Sequence, residues 1–208
     1  MPSLTDSDME CLRSARHNQS RKRTVKEREK YIMSLVKQMT LDEKIGMIHG
    51  AGLFRTAGVP RLGIPELHMS DGPMGVRQEF VDNDWKNVYD SDDTVTYLPS
   101  NSAIAATWNP KRAKECGEVL GAEARGRGKD VILAPGINIK RTQLCGRNFE
   151  YMGEDPYLSS MMVVPYIKGV QENGVAACVK HYALNNQEFN RHTTNCLLYT
   201  SPSPRDTR

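Results

Sequence analysis

Residues 130–182 read DVILAPGINIKRTQLCGRNFEYMGEDPYLSSMMVVPYIKGVQENGVAACVKHY, and their rhythm decides the fold. The opening run DVILAP is short and apolar, which predicts a buried strand. A long polar loop follows. DPYLSSMMVVPYIKGVQENG then predicts a helix ending at Gly174, with Pro165 inside it and a kink expected there. GVAACVKHY predicts another strand of the same apolar kind. Apolar strands separated by helices imply a parallel α/β sheet with both faces covered.

The alternation continues toward the N-terminus. ELHMS predicts a strand that runs into Asp71-Gly72-Pro73. SAIAATW predicts a further strand, making four in all. Asn109 and Pro110 then predict a helix N-cap with Pro at the first helical position. Ala113, Cys116, Leu120 and Ala124 fall on one face of that helix, which stops at Gly126 and Gly128. Further back, Gly58, Pro60, Gly63 and Pro65 punctuate a connection. Thr40 followed by Glu43 is a capping box, predicting a helix from Leu41 to about His49. YIMSLVKQM has helical apolar spacing before it, so order is expected from Tyr31, and residues 1–30 read as a flexible basic extension.

Composition narrows the function. The chain of 208 residues is 38% hydrophobic and 25% charged, which suits one folded domain and argues against disorder. Residues 1–30 hold eight Lys/Arg against five Asp/Glu, so the net charge of +3 sits there and the rest balances. RSARHNQSRKRTVKEREK lacks interleaved aromatics, so it reads as a solvated extension rather than a nucleic-acid or membrane grip. The N-terminus shows no apolar leader and no run reaches the length of a membrane span, which leads us to expect a cytoplasmic protein, with secretion left open. Cys11, Cys116, Cys145, Cys178 and Cys196 have no zinc-like spacing and read as free thiols. His49, His68 and His192 show no metal spacing either. No cofactor is expected. GRGKD precedes a strand instead of following one, and no G-x-G-x-x-G follows the first strand, so a dinucleotide fold is disfavoured.

An open doubly wound sheet and a (β/α)8 barrel both remain, and in both, function gathers at the carboxyl ends of the strands. Asp71, Trp108, Arg147, Glu150, Lys180 and His181 all fall at predicted strand ends or in the loops that follow them. Carboxylates, cations and an aromatic face suit a neutral, hydroxyl-rich ligand. Each residue also has a plainer role. Asp71 can stabilise a turn before Gly-Pro, Asn109 can simply cap a helix, Trp108 can be core, and Arg147 with Glu150 can be a structural ion pair. Lys180 after the apolar run VAACV is harder to explain structurally, because a buried Lys needs a partner. Two chemistries fit these residues: a Schiff base on Lys180, or glycoside hydrolysis with Asp71 and Glu150 as the first pair to consider.

The stretches LDEKIGMIHG, GVPRLGIPELHMSDGPMGVR, ATWNP, GAEARGRGKDVILAPGINIKRTQLCGRNFEYMGEDPYLSS and GVAACVKHYALNNQEFNR, taken together and in this order, resemble the N-terminal barrel domain of glycoside hydrolase family 3. The resemblance runs from about Leu41 to Arg191. It implies a TIM-type (β/α)8 barrel, of which residues 31–195 hold about the first four strand-helix units, and a retaining β-glycosidase acting on terminal β-D-glucosyl or β-xylosyl residues. It implies that Asp71, Arg77, Arg147, Lys180 and His181 bind sugar hydroxyls, with Glu150 and Trp108 in support, and that the partner is a small glycoside or oligosaccharide. Glu150 then supports Arg147 instead of acting as acid or base. KHYALNNQE resembles the glucosidase-like branch. The hexosaminidase branch has a K-H-F-P-G-H-G type motif there, so no N-acetylglucosaminidase activity is expected.

The resemblance also implies two catalytic carboxylates that these residues do not supply. The family's nucleophile lies in a Ser-Asp-Trp type motif on a late strand, and its acid/base Glu in a following domain. The chain as it stands is therefore expected to be inactive. Residues 196–208, CLLYTSPSPRDTR, resemble the translation of a sequencing-library adaptor and are expected to be a non-native tail.

Overall fold

The computed structural model describes residues 24–79, 84, 86, 94–182 and 185–190. The expected tail at 196–208 and most of the basic segment lie outside these residues. Two compact units divide the chain.

The first unit falls within Met1–His49 and Gly58–Pro65. Helix α1 spans Val25–Gln38 and helix α2 spans Leu41–Met47. α1 begins six residues before the expected Tyr31, so the boundary drawn at residue 30 falls inside a helix. The cause is a second capping box: the Thr24 side chain accepts from the Glu27 N–H, and Glu27 reaches back to the Thr24 N–H at 2.7 Å. α2 starts where Thr40 and Glu43 place it. Arg61, in a 3-10 turn at Pro60–Leu62, grips both oxygens of Glu43 at 2.6 Å and the Gln38 carbonyl at 2.8 Å. The Arg61 hydrogen bond, with the Thr40 N–H, holds the Glu43 carboxyl down to about 2. No helix among the described residues is long and apolar enough to cross a membrane.

The second unit carries the sheet. A short antiparallel hairpin pairs β1 (Gly50–Gly52) with β2 (Arg55–Thr56). The main sheet is parallel, in the order β3 (Met69–Asp71), β4 (Val131–Leu133), β5 (Ala176–Ala177). Asp71 stands opposite Leu133, and Ile132 opposite Ala177, so the strands end level. The sheet extends by a bridge between Gly136 and Lys180. Lys180 N–H donates to the Pro135 carbonyl at 3.0 Å and its carbonyl accepts from Ile137 N–H at 2.8 Å. These bonds fix Lys180 beside the loop that leaves β4. The Ala134–Pro135 and Lys180–His181 peptide bonds are cis.

Three helices accompany this sheet: two long ones pack on it and a short one packs against them. SAIAATW is not the expected strand but helix α3, Asn101–Ala106. Ser100 caps it through Ala103 N–H at 3.2 Å, and Asn101, Ile104 and Ala105 bury one face. An apolar run this short carries no decisive period, and its alanines cost nothing in a helix. The described residues therefore hold three parallel strands, not four. α4 spans Pro110–Gly126, with Asn109 Oδ1 accepting from Lys111 N–H as its cap. α5 spans Pro156–Glu172 as one helix with Pro165 inside it.

α4 and α5 approach closely enough that Gly117 lies against the Tyr166 carbonyl and Gly169 against that of Lys114. Burial of Leu120, Ala124, Ile132, Met162, Tyr166 and Val170 forms the core behind the sheet. That core positions the site as well, because the buried Tyr166 hydroxyl donates to the Pro73 carbonyl at 3.0 Å in the loop after β3. Burial pushes the Tyr166 phenol up, so it remains a donor there.

Candidate functional site

The turn after β3 has the sequence Asp71-Gly-Pro-Met-Gly. Gly72 and Gly75 sit at φ 131° and 144°. A Cβ on Gly72 would stand 1.7 Å from the Gly75 carbonyl oxygen. Only glycine permits this tight return, and it brings Arg77 N–H to the Asp71 carbonyl at 2.9 Å. The Asp71 carboxylate is thereby held at the strand's carboxyl end. Its Oδ1 accepts from Gly72 N–H at 2.9 Å, and Arg77 Nη1 approaches Oδ2 at 3.5 Å.

Lys180 reaches this carboxylate from the end of β5, with Nζ 2.6 Å from Asp71 Oδ1. Its other side faces Glu150 Oε2 at 3.8 Å. Glu150 is buried in a 3-10 turn, Asn148–Glu150, and is gripped in a fork by Arg147: Nε to Oε1 at 2.6 Å and Nη2 to Oε2 at 2.9 Å. The backbone beneath is anchored by Asn101, whose Nδ2 donates to the Glu150 carbonyl at 2.6 Å. Carboxylates and cations thus alternate from Asp71 through Lys180 and Glu150 to Arg147.

Burial works to raise the Asp71 carboxyl, but the Lys180 hydrogen bond and charge, the Gly72 N–H and Arg77 outweigh it and hold it below the ordinary carboxylate value. Arg147 is pushed up by its bond to Glu150. Lys180 is 12% exposed, so the partner that its burial demanded is Asp71. The Lys180 nitrogen thus has one hydrogen-bonded carboxylate, Asp71, and a second, Glu150, within 3.8 Å.

His181 joins the chain of charges at its far end. Arg147 Nη2 lies 2.9 Å from its Nε2, and Tyr151 Oη lies 2.8 Å from its Nδ1. Asn138 Oδ1 accepts from His181 N–H at 2.8 Å. Asn185 Nδ2 donates to Tyr151 Oη at 2.9 Å and to Glu188 at 3.2 Å. Burial pushes the Tyr151 phenol up to about 12, so it stays protonated across the neutral range.

A cleft of about 290 Å³ opens over this cluster. Asp71, Arg77, Arg147, Glu150 and Lys180 form its polar side, and Met74, Val95, Tyr97 and Phe149 contribute apolar surface. His181 is not among the lining residues and meets the cleft through Arg147. Trp108 is not among them either; it sits at φ 52° just past α3, 70% exposed. Its side chain is therefore neither core nor an aromatic wall for the cleft. Asn109 is a helix cap, as its plainer reading has it.

Sequence reasoning missed Asn138, Tyr151, Asn185 and Glu188. The polar run NNQE after the last strand signalled the latter two, while Tyr151 and Asn138 carried no signal. No group of three or more His, Cys, Asp or Glu among the described residues is arranged to hold a metal ion. Free thiols stand at Cys116, Cys145 and Cys178.

The chain matches the Glycosyl hydrolase family 3 N terminal domain over residues 68–197. It is 57% identical over 158 residues to beta-glucosidase BoGH3A of Bacteroides ovatus, covering 76% of this chain and 21% of that protein. It is 44% identical over 167 residues to thermostable beta-glucosidase B of Acetivibrio thermocellus, covering 80% of this chain and 22% of that protein. Among solved structures, beta-glucosidase 3B from Thermotoga neapolitana in complex with glucose superposes with a TM-score of 0.67 at 40% identity, over 76% of this chain and 24% of that one. The chain thus spans about a fifth of the length of the curated relatives it matches. The parallel sheet with its packed helices is part of a TIM-type (β/α)8 barrel.

Proposed function

The chain belongs to glycosyl hydrolase family 3, and on that premise we propose that it forms the sugar-gripping part of a retaining β-glycosidase that removes terminal β-D-glucosyl, or β-xylosyl, residues. The observation that carries the reading is the alternation Asp71–Lys180–Glu150–Arg147 along a cleft at the strand ends. A pyranose presents a ring of hydroxyls, each a donor and an acceptor. The Asp71 carboxylate accepts from one hydroxyl while Lys180, Arg77 and Arg147 donate to its neighbours. Charged partners make such bonds short and strong. As the ring takes on oxocarbenium character its hydroxyls become better donors, so bonds to Asp71 tighten in the transition state and lower the barrier. Glucose bound to the related Thermotoga neapolitana enzyme supports glucose as the first ligand to test.

For the 208 residues taken alone, we propose binding without cleavage. Retaining hydrolysis needs one carboxylate nucleophile and one carboxylic acid about 5–5.5 Å apart. Asp71 is held ionised by Lys180, and Glu150 has both oxygens engaged by Arg147. Neither is free to deliver a proton to a leaving group. Calorimetric titration of the chain with glucose is expected to give saturable heat, and an aryl β-glucoside is expected to stay intact. Absence of heat from a folded sample would overturn the binding role. Turnover above the blank would overturn the assignment of both carboxylates.

A further inference from the structure

The charged residues account for only part of the cleft. Tyr97 lines it too, with Met74, Val95 and Phe149. We propose that Tyr97 is the aromatic platform of the cleft, that its ring packs against the C–H face of a pyranose, and that it thereby selects sugars whose hydroxyls are equatorial. The inference deepens the sugar-binding reading above and rests on it.

Tyr97 is held in place without its ring being used. Leu98 N–H donates to the Met74 carbonyl at 2.8 Å, and Thr96 N–H donates to the Glu123 carboxylate at 3.2 Å. Gly75 lets the first of these contacts form, since a Cβ there would stand 2.5 Å from the Thr96 carbonyl oxygen. The residues on either side of Tyr97 are thus pinned, one to α4 and one to the turn that follows Asp71. At the tip of the side chain, Oη reaches Met74 Sδ in that same turn at 3.8 Å. Tyr97 nevertheless remains 77% exposed. A lone exposed apolar residue calls for no explanation, but apolar surface rimmed by charged groups in a cleft marks a ligand groove. Asp71, Arg77, Arg147 and Lys180 supply that rim.

The charged rim and the aromatic surface ask for the same ligand. Equatorial hydroxyls project from the edge of a pyranose, where carboxylates and cations meet them. Its axial C–H bonds project from the two faces, which are apolar and carry slight positive charge. The face of an aromatic ring is negative and attracts such bonds. Glucose and xylose keep their ring hydroxyls equatorial, so both faces are uninterrupted. Galactose carries an axial hydroxyl on one face and allose on the other. An axial hydroxyl turned toward Tyr97 would hold the sugar off the ring and be left without a hydrogen-bond partner. Tyr97 thus fills the place that the sequence suggests for Trp108, which lies outside the cleft.

The test is calorimetric titration of the full chain, and of its Tyr97→Ala and Tyr97→Phe variants, with glucose, xylose, galactose and allose. Tyr97 is exposed, so neither substitution disturbs the core. Tyr97→Ala is expected to weaken glucose and xylose by about fivefold each, because the two sugars present the same faces. Tyr97→Phe keeps the ring and is expected to stay within about twofold of the unsubstituted chain. Of galactose and allose, the one whose axial hydroxyl lies on the stacked face is expected to bind more weakly than glucose and to change by less than about twofold on Tyr97→Ala. Unchanged glucose affinity in Tyr97→Ala overturns the proposal while leaving the sugar-binding reading in place. A loss in Tyr97→Phe as large as that in Tyr97→Ala overturns it too, since the hydroxyl and not the ring would then be the contact. An equal loss for all of the sugars overturns the selection of equatorial hydroxyls. A folded, unsubstituted chain that binds none of them sinks the sugar-binding reading, and the platform with it.

Discussion

Lys180 Nζ sits 2.6 Å from Asp71 Oδ1, joining the carboxyl ends of two strands that are not neighbours in the sheet, since β4 lies between β3 and β5. The bond therefore spans the sheet as well as lining the cleft. Lys180→Met is expected to leave the Asp71 carboxylate without its main partner and to lower stability by about 1–3 kcal/mol, the lower part of the range applying because Asp71 keeps 28% of its side-chain exposure. Asp71→Asn combined with Lys180→Met should cost less than the two single changes summed, because each single change leaves the other group in place alone. Urea midpoints of the four proteins decide this; strict additivity would show that the pair is uncoupled.

The same pair sets a pH dependence. The Asp71 carboxyl titrates lower when folded than its ordinary value of 3.8. A depressed folded value means that the unfolded chain binds the proton first, so stability is fully present above about pH 5 and declines as pH falls through the unfolded value toward the folded one. Unfolding midpoints measured from pH 6 to pH 3 should fall more steeply for the unsubstituted chain than for Asp71→Asn. Parallel curves would place the acid sensitivity elsewhere.

Arg147 meets Glu150 with two nitrogens and His181 with one of them. A lysine carries one nitrogen on a flexible stem and cannot reproduce that fork. Arg147→Lys, although charge-conserving, is expected to weaken glucose binding about tenfold or more, close to the loss in Arg147→Met. Calorimetry on the three proteins checks this. Near-normal affinity in Arg147→Lys would mean that charge alone, and not direction, is what Arg147 supplies.

How far these features could be read in advance depends on how local they are. The Thr40–Glu43 box, the Asn109–Pro110 helix start and the strands at Met69–Asp71 and Val131–Leu133 each depend on a few adjacent residues, and each was legible. Thr24–Glu27 is an equally local signal, but it lies within a run of charges that masked it. SAIAATW was misread because a six-residue helix is shorter than two turns, too short for its period to separate from that of a strand. The polar residues at the strand ends could be expected together because parallel strands deliver their carboxyl ends to one side. The pairing of Asp71 with Lys180, and of Tyr151 with His181, joins residues 109 and 30 positions apart. Only tertiary packing specifies such contacts, and no spacing in the chain encodes them.

The crossing of α4 and α5 shows the same limit and gives a sharp test. Ala113, Cys116, Leu120 and Ala124 share the expected face and lie in or against the core, while the residues that touch α5 most closely are Gly117 and Gly121. A Cβ on Gly117 would stand 2.1 Å from the Tyr166 carbonyl oxygen, and one on Gly121 2.7 Å from that of Val170. These are backbone atoms that cannot turn aside, so the helices would have to separate. Gly126, at the end of the same helix, has nothing within 4 Å of its would-be Cβ. Gly117→Ala is therefore expected to destabilise by about 2–3 kcal/mol through overpacking, despite alanine's better helix propensity. Gly126→Ala should be neutral or stabilise by up to about 1 kcal/mol. Because Tyr166 also holds the Pro73 carbonyl beneath the Asp71 turn, Gly117→Ala should weaken glucose binding as well, whereas Gly126→Ala should not. Thermal midpoints and calorimetry on both variants separate the cases; equal stability in the two would mean that the crossing is looser than its backbone contacts require.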